Sequence, residues 1–216
     1  MNQVNGCIFD LDGVICDTAK YHFIAWKSLA DQLGISFTEE DNERLKGVSR
    51  MESLEILLSL GTKIYNEEEK KRFAEEKNNR YIQYISKMTR EELLPGVEAL
   101  LMKLRSEGIK IALGSVSKNA SAIIDCLEIG KFFDGIIDGN NVTHAKPDPE
   151  VFLLGAAAIG IEPKYCVVFE DAVAGVQAAH RAGMKCVGIG SEKILTEADL
   201  VAPDLSNVTL STIRSI

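Results

Sequence analysis

Apolar and polar positions alternate in blocks along most of this chain, and the blocks predict strands and helices in turn. Residues 4–9 form a short apolar run that ends at Asp10, which is typical of a buried strand. Further strand-like runs span 109–115, 133–138, 165–170 and 185–189, and helix-like segments span 119–128, 149–159 and 173–182. Strands that alternate with helices in this way indicate βαβ units, so we expect a doubly wound, Rossmann-like parallel sheet of the α/β class.

The alternation stops between residues 18 and 90, where the pattern is helical throughout. Apolar residues such as Trp26 and Leu57 recur at helical spacing there, and a charged helix is predicted over residues 67–88. We therefore expect two domains. The α/β core comprises residues 1–17 and 91–216, and residues 18–90 form a helical cap domain inserted after the first strand.

Composition is typical of a globular protein. Of the 216 residues, 46% are hydrophobic and 26% are charged, which excludes the disordered and collagen-like classes. The five cysteines are scattered without a CxxC pair, which favours free thiols in a reducing compartment. The sequence shows neither a signal peptide nor an apolar run of about 18 residues, so we expect a cytoplasmic protein without membrane attachment.

The charge is distributed unevenly and limits the possible partners. Residues 17–90 are neutral in sum, so the rest of the chain carries the formal net charge of −8. An acidic protein without a basic stripe is a poor candidate for binding nucleic acid or an anionic membrane. An anionic substrate would therefore need local cations or a bound metal ion.

Four carboxylates follow the carboxyl ends of predicted strands, where open parallel sheets bind their ligands. Asp10 and Asp12 come after the first strand, and Glu170 and Asp171 close the strand at 165–170. Such crowding is unfavourable unless a hard divalent cation offsets it, and Mg²⁺ prefers oxygen ligands of this kind. We therefore expect one Mg²⁺ ion at this edge of the sheet.

The same edge carries the other groups that phosphoryl transfer requires. A carboxylate can attack phosphorus, while the hydroxyl of Ser115 and the ammonium of Lys146 can neutralise and orient phosphoryl oxygens. Asp12 can act as general acid and base, with a pKa raised by its acidic neighbours. Each motif also has a structural interpretation when taken alone, such as a turn, a helix cap or a solvated loop cation. Their joint occurrence at successive strand ends favours the catalytic interpretation.

These motifs occur in the order found in the haloacid dehalogenase superfamily, which the chain resembles over essentially its whole length. The motifs are DLDGV with the downstream Thr18, the serine of SVSKN, the lysine of KPDP and the acid pair of FED. The resemblance implies that Asp10 is the nucleophile and that Asp12 is the general acid and base. It implies that the metal ligands are Asp10, the Asp12 backbone carbonyl, Glu170 and Asp171. It also implies that Ser115 and Lys146 bind the phosphoryl group. Thr18 is implied to belong to the catalytic site and to begin the hinge between the cap and the core.

Within the superfamily, the cap motifs LKGVSR and YHFIAWKSLA resemble those of sugar-phosphate mutases. This resemblance implies an isomerase of carbohydrate metabolism that interconverts β-D-glucose 1-phosphate and D-glucose 6-phosphate. The reaction would pass through β-glucose 1,6-bisphosphate and a phosphoprotein carrying aspartyl phosphate. The implied substrate-binding residues are His22, Trp26, Lys46, Gly47, Val48, Ser49, Arg50 and Lys77 in the cap, and Ser115, Val116, Ser117, Lys118 and Asn119 in the core. Trp26 also fits the apolar core of the cap.

Two alternatives share parts of the pattern. A sugar-phosphate or phosphoglycolate-type phosphatase would use the same core but admit water to the aspartyl phosphate. A non-catalytic phospho-acceptor module would need neither the cap nor Asp12. Arg50, with Lys118 and Asn119, supplies a candidate clamp for a second phosphate, and this favours the mutase. We expect a monomer with a small sugar phosphate as its partner.

Overall fold

The structure is a computed structural model that describes residues 3–45 and 49–216. It divides into two compact units. The α/β unit comprises Met1–Asp17 and Met88–Ile216, and the helical unit is Thr18–Lys87.

A six-stranded parallel sheet forms the centre of the α/β unit, with the strand order β3-β2-β1-β4-β5-β6. The strands are β1 (Gly6–Phe9), β2 (Lys110–Gly114), β3 (Gly135–Ile137), β4 (Cys166–Glu170), β5 (Lys185–Ile189) and β6 (Leu200–Ala202). This order reverses direction between β1 and β4, as in doubly wound folds, and the predicted fold class is confirmed. The strand predicted at 133–138 is shorter than expected, and β6 was not predicted.

The register of the sheet aligns the carboxyl ends of three adjacent strands, β2, β1 and β4. Phe9 at the end of β1 pairs with Leu113 on one side and with Phe169 on the other. The rings of Phe9 and Phe169 stack with their centroids 4.3 Å apart. The residues that follow, Asp10 and Glu170 among them, therefore emerge at one edge of the sheet.

Four helices make up the described part of the helical unit, and they have a core of their own. They are α1 (Ala19–Leu33), α2 (Glu39–Glu43), α3 (Arg50–Ser59) and α4 (Glu67–Ile85). Trp26, Leu29, Leu57 and Phe73 are buried together in that core. Helix α4 ends at Ile85, three residues before the end predicted from its charge pattern.

The helices of the α/β unit each contribute buried apolar residues to its core. They are α5 (Val97–Ser106), α6 (Ala120–Cys126), α7 (Glu150–Ile159), α8 (Val173–Arg181) and α9 (Leu210–Ile213). Phe152 of α7 and Val176 of α8 are fully buried in one cluster with Ile8 and Val168 of the sheet. In the described parts of the chain, no helix is both long enough and apolar enough to cross a lipid bilayer.

Candidate active site

Three carboxylates meet at the carboxyl ends of β1 and β4. The backbone N–H of Asp10 donates to the carbonyl of Phe169, which continues the strand pairing into the site. Carboxylate oxygens of Asp10, Glu170 and Asp171 all lie within 4.8 Å of one another. The structure therefore brings together three of the four acidic residues that the sequence placed at this edge.

Lys146 supplies the positive charge in this group. Its Nζ atom donates to Glu170 Oε2 at 2.8 Å and also binds Asp10 Oδ1. The ammonium lies 4.8 Å from the ring centroid of Phe152, and its side chain is only 10% exposed. Lys146 is thus a buried cation and not the solvated loop residue that a structural interpretation of KPDP would require.

Desolvation and the nearness of like charges both disfavour the ionised form of the carboxyl groups in this acidic group. Partial desolvation of its carboxylate raises the pKa of Asp171 to about 6, and the negative charge of Asp10 adds to the rise. Burial likewise raises the pKa of Glu170, against the opposing effect of Lys146. Burial alone would lower the pKa of Lys146, but Asp10 and Glu170 hold it above its ordinary value. The ammonium of Lys146 therefore stays protonated and pairs with two of the three carboxylates, those of Asp10 and Glu170, so the group contains more acidic than basic side chains.

This donor set fits a hard divalent cation. Mg²⁺ takes oxygen ligands and commonly binds one or two carboxylates together with substrate oxygens. Asp10, Glu170 and Asp171 provide converging oxygens, and a dication would offset the excess negative charge.

Two glycines make room for the acidic side chains. Gly13 has φ +76°, and a Cβ atom there would overlap the carboxylate of Asp171. A Cβ atom at Gly175 of α8 would overlap the carboxyl group of Glu170. Gly175 was not singled out in the sequence, because nothing in the local pattern shows which side chain approaches it.

Asp12 lies in the tight turn that follows β1. It forms an isolated bridge with Cys16, and Gly13 N donates to the Cys16 carbonyl at 2.8 Å. This pairing folds the DLDGV segment back on itself directly after Asp10. Asp12 is therefore held on a structured turn, and its role as general acid and base stays a prediction.

Residues 115–119, termed the serine loop below, follow β2 and lead into α6. Ser115 is 2% exposed, and its Oγ atom accepts a hydrogen bond of 3.1 Å from Ser117 N. Ser117 Oγ in turn accepts from Asn119 N at 3.3 Å. Val116 and Lys118 are exposed in the same loop. The predicted phosphate-binding residues thus form one ordered segment at the edge where the acidic group lies.

The helical unit gathers several predicted substrate residues around a buried lysine. Lys77 is 2% exposed, and its Nζ atom lies 2.8 Å from His22 Nδ1. The same ammonium lies over the rings of Trp26 and Tyr81, at 4.7 and 5.0 Å from their centroids. Trp26 is 2% exposed within the core of this unit, so its ring supports Lys77 and is not presented to solvent.

Burial changes the proton affinity of this pair strongly. It lowers the pKa of Lys77 to about 7, with a contribution from the positive charge of Arg50. It also lowers the pKa of His22 to about 3, with Lys77 and Arg50 adding to the effect. His22 is therefore neutral near pH 7, and its Nδ1 atom can accept a hydrogen bond from Lys77.

The remaining predicted residues lie at helix starts or outside the described residues. Thr18 is the buried N-cap residue of α1. Ser49 caps α3 in a reciprocal capping box with Glu52, and Arg50 is the first residue of that helix. Lys46, Gly47 and Val48 lie outside the described residues.

A second group of possible metal ligands, His144, Asp148 and Glu150, also has its ligand atoms within 4.8 Å of one another. Glu150 accepts hydrogen bonds from the backbone N–H groups of Thr143 and His144 at 3.0 and 2.7 Å. These bonds use its carboxylate to close the loop before α7, which accounts for the cluster without an ion.

Comparison with known proteins identifies the family. A family model described as haloacid dehalogenase-like hydrolase matches residues 4–183. The chain belongs to this family. The resemblance inferred from the motifs is therefore confirmed, and Mg²⁺ use is typical of haloacid dehalogenase-like enzymes.

Individual relatives within the family include both mutases and phosphatases. The chain is 48% identical to the β-phosphoglucomutase of Bacillus subtilis, over 94% of this chain and 91% of that protein. It is 36% identical to a phosphorylated carbohydrates phosphatase of Thermotoga maritima, over 90% and 91%. A crystal structure of β-phosphoglucomutase from Clostridium difficile matches with a TM-score of 0.87 and 44% identity, over 98% of this chain and 96% of that one.

Proposed function

We propose that this chain catalyses the β-phosphoglucomutase reaction, the interconversion of β-D-glucose 1-phosphate and D-glucose 6-phosphate. The observation that carries the assignment is the 48% identity to the Bacillus subtilis enzyme, which extends over nearly the full length of both chains. The converging group of Asp10, Lys146, Glu170 and Asp171 supports it, because those residue types suit the transfer of a phosphoryl group.

In the proposed reaction, Asp10 carries the phosphoryl group between two oxygens of the sugar. The 6-hydroxyl of β-glucose 1-phosphate attacks the phosphorus of phosphorylated Asp10, the bond from phosphorus to the Asp10 oxygen breaks, and Asp12 takes the hydroxyl proton. The resulting β-glucose 1,6-bisphosphate turns end for end. Asp10 then attacks the phosphorus at C1, and Asp12 returns the proton to the departing sugar oxygen, which yields glucose 6-phosphate.

The surrounding groups hold the phosphoryl group during transfer. Lys146 and Ser115 bind its oxygens, as the family resemblance implies. Asp10, the Asp12 backbone carbonyl, Glu170 and Asp171 would hold one Mg²⁺ ion. When bound, that ion supplies positive charge that offsets the charge developing on the phosphoryl oxygens.

The second phosphate of the bisphosphate needs a site of its own. The motifs support a site composed of Ser117, Lys118 and Asn119 together with Arg50, because guanidinium and ammonium groups suit phosphate oxygens. We assign Thr18, His22, Lys77 and the segment 46–49 to a cap domain of residues 18–90 that contacts the sugar and excludes water. The bisphosphate is both intermediate and activator in this scheme.

We also propose a cytoplasmic location and a monomeric state. All five cysteines are free thiols, and four of them are buried, which suits a reducing compartment.

A coupled assay with pure anomers tests the proposed function. Glucose 6-phosphate is measured by its oxidation with a dehydrogenase, starting from the β or α anomer of glucose 1-phosphate, with and without added bisphosphate. We expect conversion of the β anomer, stimulated by the bisphosphate, and no conversion by the Asp10→Asn variant. The Thermotoga maritima relative is a phosphatase of phosphorylated carbohydrates. A chain with that activity would instead release inorganic phosphate and free glucose from the substrate and would form no glucose 6-phosphate.

A further inference from the structure

A second loop packs directly against the serine loop. It comprises residues 138–141, follows β3, and is termed the glycine loop here. The N–H of Gly139 donates to the Ser117 carbonyl at 3.0 Å, and Asn140 Nδ2 donates to the Lys118 carbonyl at 3.1 Å. Two successive carbonyl groups of the serine loop are thus bound by the glycine loop. Because a peptide unit is planar and trans, fixing the Ser117 carbonyl also fixes the opposite N–H of Lys118.

Gly139 allows the two loops to approach this closely. A Cβ atom at this position would overlap the carbonyl oxygen of Val116 and would lie 2.8 Å from Lys118 N. Both of these are backbone atoms, which cannot swing aside as the end of a flexible side chain can. Any other residue at 139 would therefore displace the serine loop or the glycine loop.

Asp138 anchors the glycine loop itself. It is 8% exposed, and its two carboxylate oxygens accept hydrogen bonds from Ser121 Oγ at 2.9 Å and from Asn140 N at 2.8 Å. Its own N–H donates to Asn141 Oδ1 at 2.9 Å. Ser121 belongs to α6, the helix that begins where the serine loop ends. The glycine loop is therefore anchored to α6, the helix that follows the serine loop.

We propose that Gly139 and Asn140 are positioning residues for phosphate binding, which hold the serine loop in the conformation that binds the non-transferred phosphate of the sugar. This inference rests on the proposed function, since that function assigns the phosphate to Ser117, Lys118 and Asn119. Gly139 and Asn140 contact the loop carbonyls and not the substrate. Without Gly139 and Asn140, the serine loop would have to become ordered when the phosphate binds, and the entropy lost in that step would weaken phosphate binding.

Three variants test this role. Asn140→Ala removes the amide donor, and Gly139→Ala forces the two loops apart. Gln177→Ala is the control, because it removes an exposed side-chain amide of α8 that binds Glu197 at 3.1 Å. Binding of glucose 6-phosphate is measured by calorimetry in the presence of Mg²⁺. KM is measured for β-glucose 1-phosphate and for acetyl phosphate, a phosphodonor whose single phosphate is the one transferred to Asp10, so that it has no non-transferred phosphate for the serine loop.

We expect Asn140→Ala to weaken glucose 6-phosphate binding about five- to tenfold, the loss that one hydrogen bond to a loop carbonyl represents. Gly139→Ala should weaken it further. The ratio of KM for β-glucose 1-phosphate to KM for acetyl phosphate should rise by a similar factor, whereas a general folding defect would impair the use of both substrates. Gln177→Ala should match the unmodified chain in binding and in this ratio.

Wild-type dissociation constants and KM ratios in both Asn140→Ala and Gly139→Ala would overturn the inference. If Gly139→Ala fails to fold, Asn140→Ala alone decides it. If the unmodified chain forms no glucose 6-phosphate, the proposed function is wrong. The calorimetric comparison of Asn140→Ala with Gln177→Ala then still decides whether the glycine loop positions a phosphate site.

Discussion

Lys146 and Glu170 form an ion pair of 2.8 Å inside the α/β unit, and the same ammonium also binds Asp10. One cation therefore serves two members of a group of three carboxylates. Pairs of this kind are costly to bury and strongly destabilising when only one partner is removed. The excess of acidic side chains in the group suits a divalent cation, and in the proposed function that cation would attract the phosphate ester that the carboxylates alone would repel.

Neutralising one acidic ligand should weaken magnesium binding. We expect Glu170→Gln and Asp171→Asn each to lower Mg²⁺ affinity by at least about tenfold, because the number of charged oxygen ligands sets the affinity of such sites. Isothermal titration calorimetry measures this directly. Glu162→Gln is the matched control, because Glu162 is exposed and pairs with Lys164 outside the group. Unaltered Mg²⁺ affinity in both ligand variants would show that the ion binds elsewhere.

Adding a single methyl group at Gly175 should damage the same site. Alanine in place of glycine inside a helix ordinarily stabilises the folded protein by about 1 kcal/mol. In Gly175→Ala the new Cβ would overlap the Glu170 carboxyl group, so we expect a lower melting temperature and weaker Mg²⁺ binding. Gly130→Ala is the control, because its Cβ would meet its nearest neighbour at 3.7 Å. A Gly175→Ala protein that melts higher and binds Mg²⁺ normally would contradict the observed packing.

Lys77 should make the stability of the protein depend on pH. Burial lowers its pKa to about 7 in the folded chain, compared with about 10.4 for an unperturbed lysine. Between these values the unfolded chain binds more protons, so the free energy of unfolding rises with pH across that window. We expect Lys77→Met to remove about 1–3 kcal/mol of this rise between pH 6 and 9.

Urea unfolding at a series of pH values measures that effect. The stability advantage of Lys77→Met over the unmodified chain should be largest below pH 7 and should shrink as the pH increases. Lys71→Met, at an exposed lysine of the same helix, serves as the control. Parallel pH profiles for the unmodified chain and Lys77→Met would show that Lys77 does not titrate in this range.

Removing the carboxyl group of Asp12 should slow proton transfer while leaving the metal in place. General acid and base catalysis typically contributes about 10²–10⁴-fold to a rate, and we expect kcat to fall by that factor in Asp12→Asn. Mg²⁺ affinity should persist, because the implied ligand at this position is the backbone carbonyl. Steady-state kinetics and calorimetry on the same sample test both parts. A variant that retains full kcat would exclude Asp12 as the proton carrier.

The sequence predicted where Asp10 and Glu170 lie in the sheet, because strand ends are marked by local pattern. Asp10 follows an apolar run that ends with β1 at Phe9, and Glu170 follows the apolar run of β4 and is the last residue of that strand. Strand β6 (Leu200–Ala202) was missed because three residues beside Pro203 carry too short a pattern to recognise. Its pairing with β5 comes from tertiary packing.

Close approach between distant segments could not be predicted from the sequence. Nothing in the local pattern shows that Gly175 faces Glu170 or that Gly139 faces Val116, since each contact depends on how two loops or helices pack. The position of Trp26 could not be predicted either, because its helical spacing fits both a substrate contact and a buried position in the cap. The structure places it beneath Lys77.

Whether Asp10 passes its phosphoryl group to a sugar or to water is measured most directly by phosphorus NMR of a single reaction. The sample contains the protein, Mg²⁺, β-glucose 1-phosphate and a trace of β-glucose 1,6-bisphosphate, and the signals of glucose 6-phosphate and inorganic phosphate are followed together. We predict that glucose 6-phosphate accumulates until the substrate is consumed, while inorganic phosphate stays near its starting level. Release of inorganic phosphate faster than formation of glucose 6-phosphate would contradict the mutase assignment and identify a phosphatase.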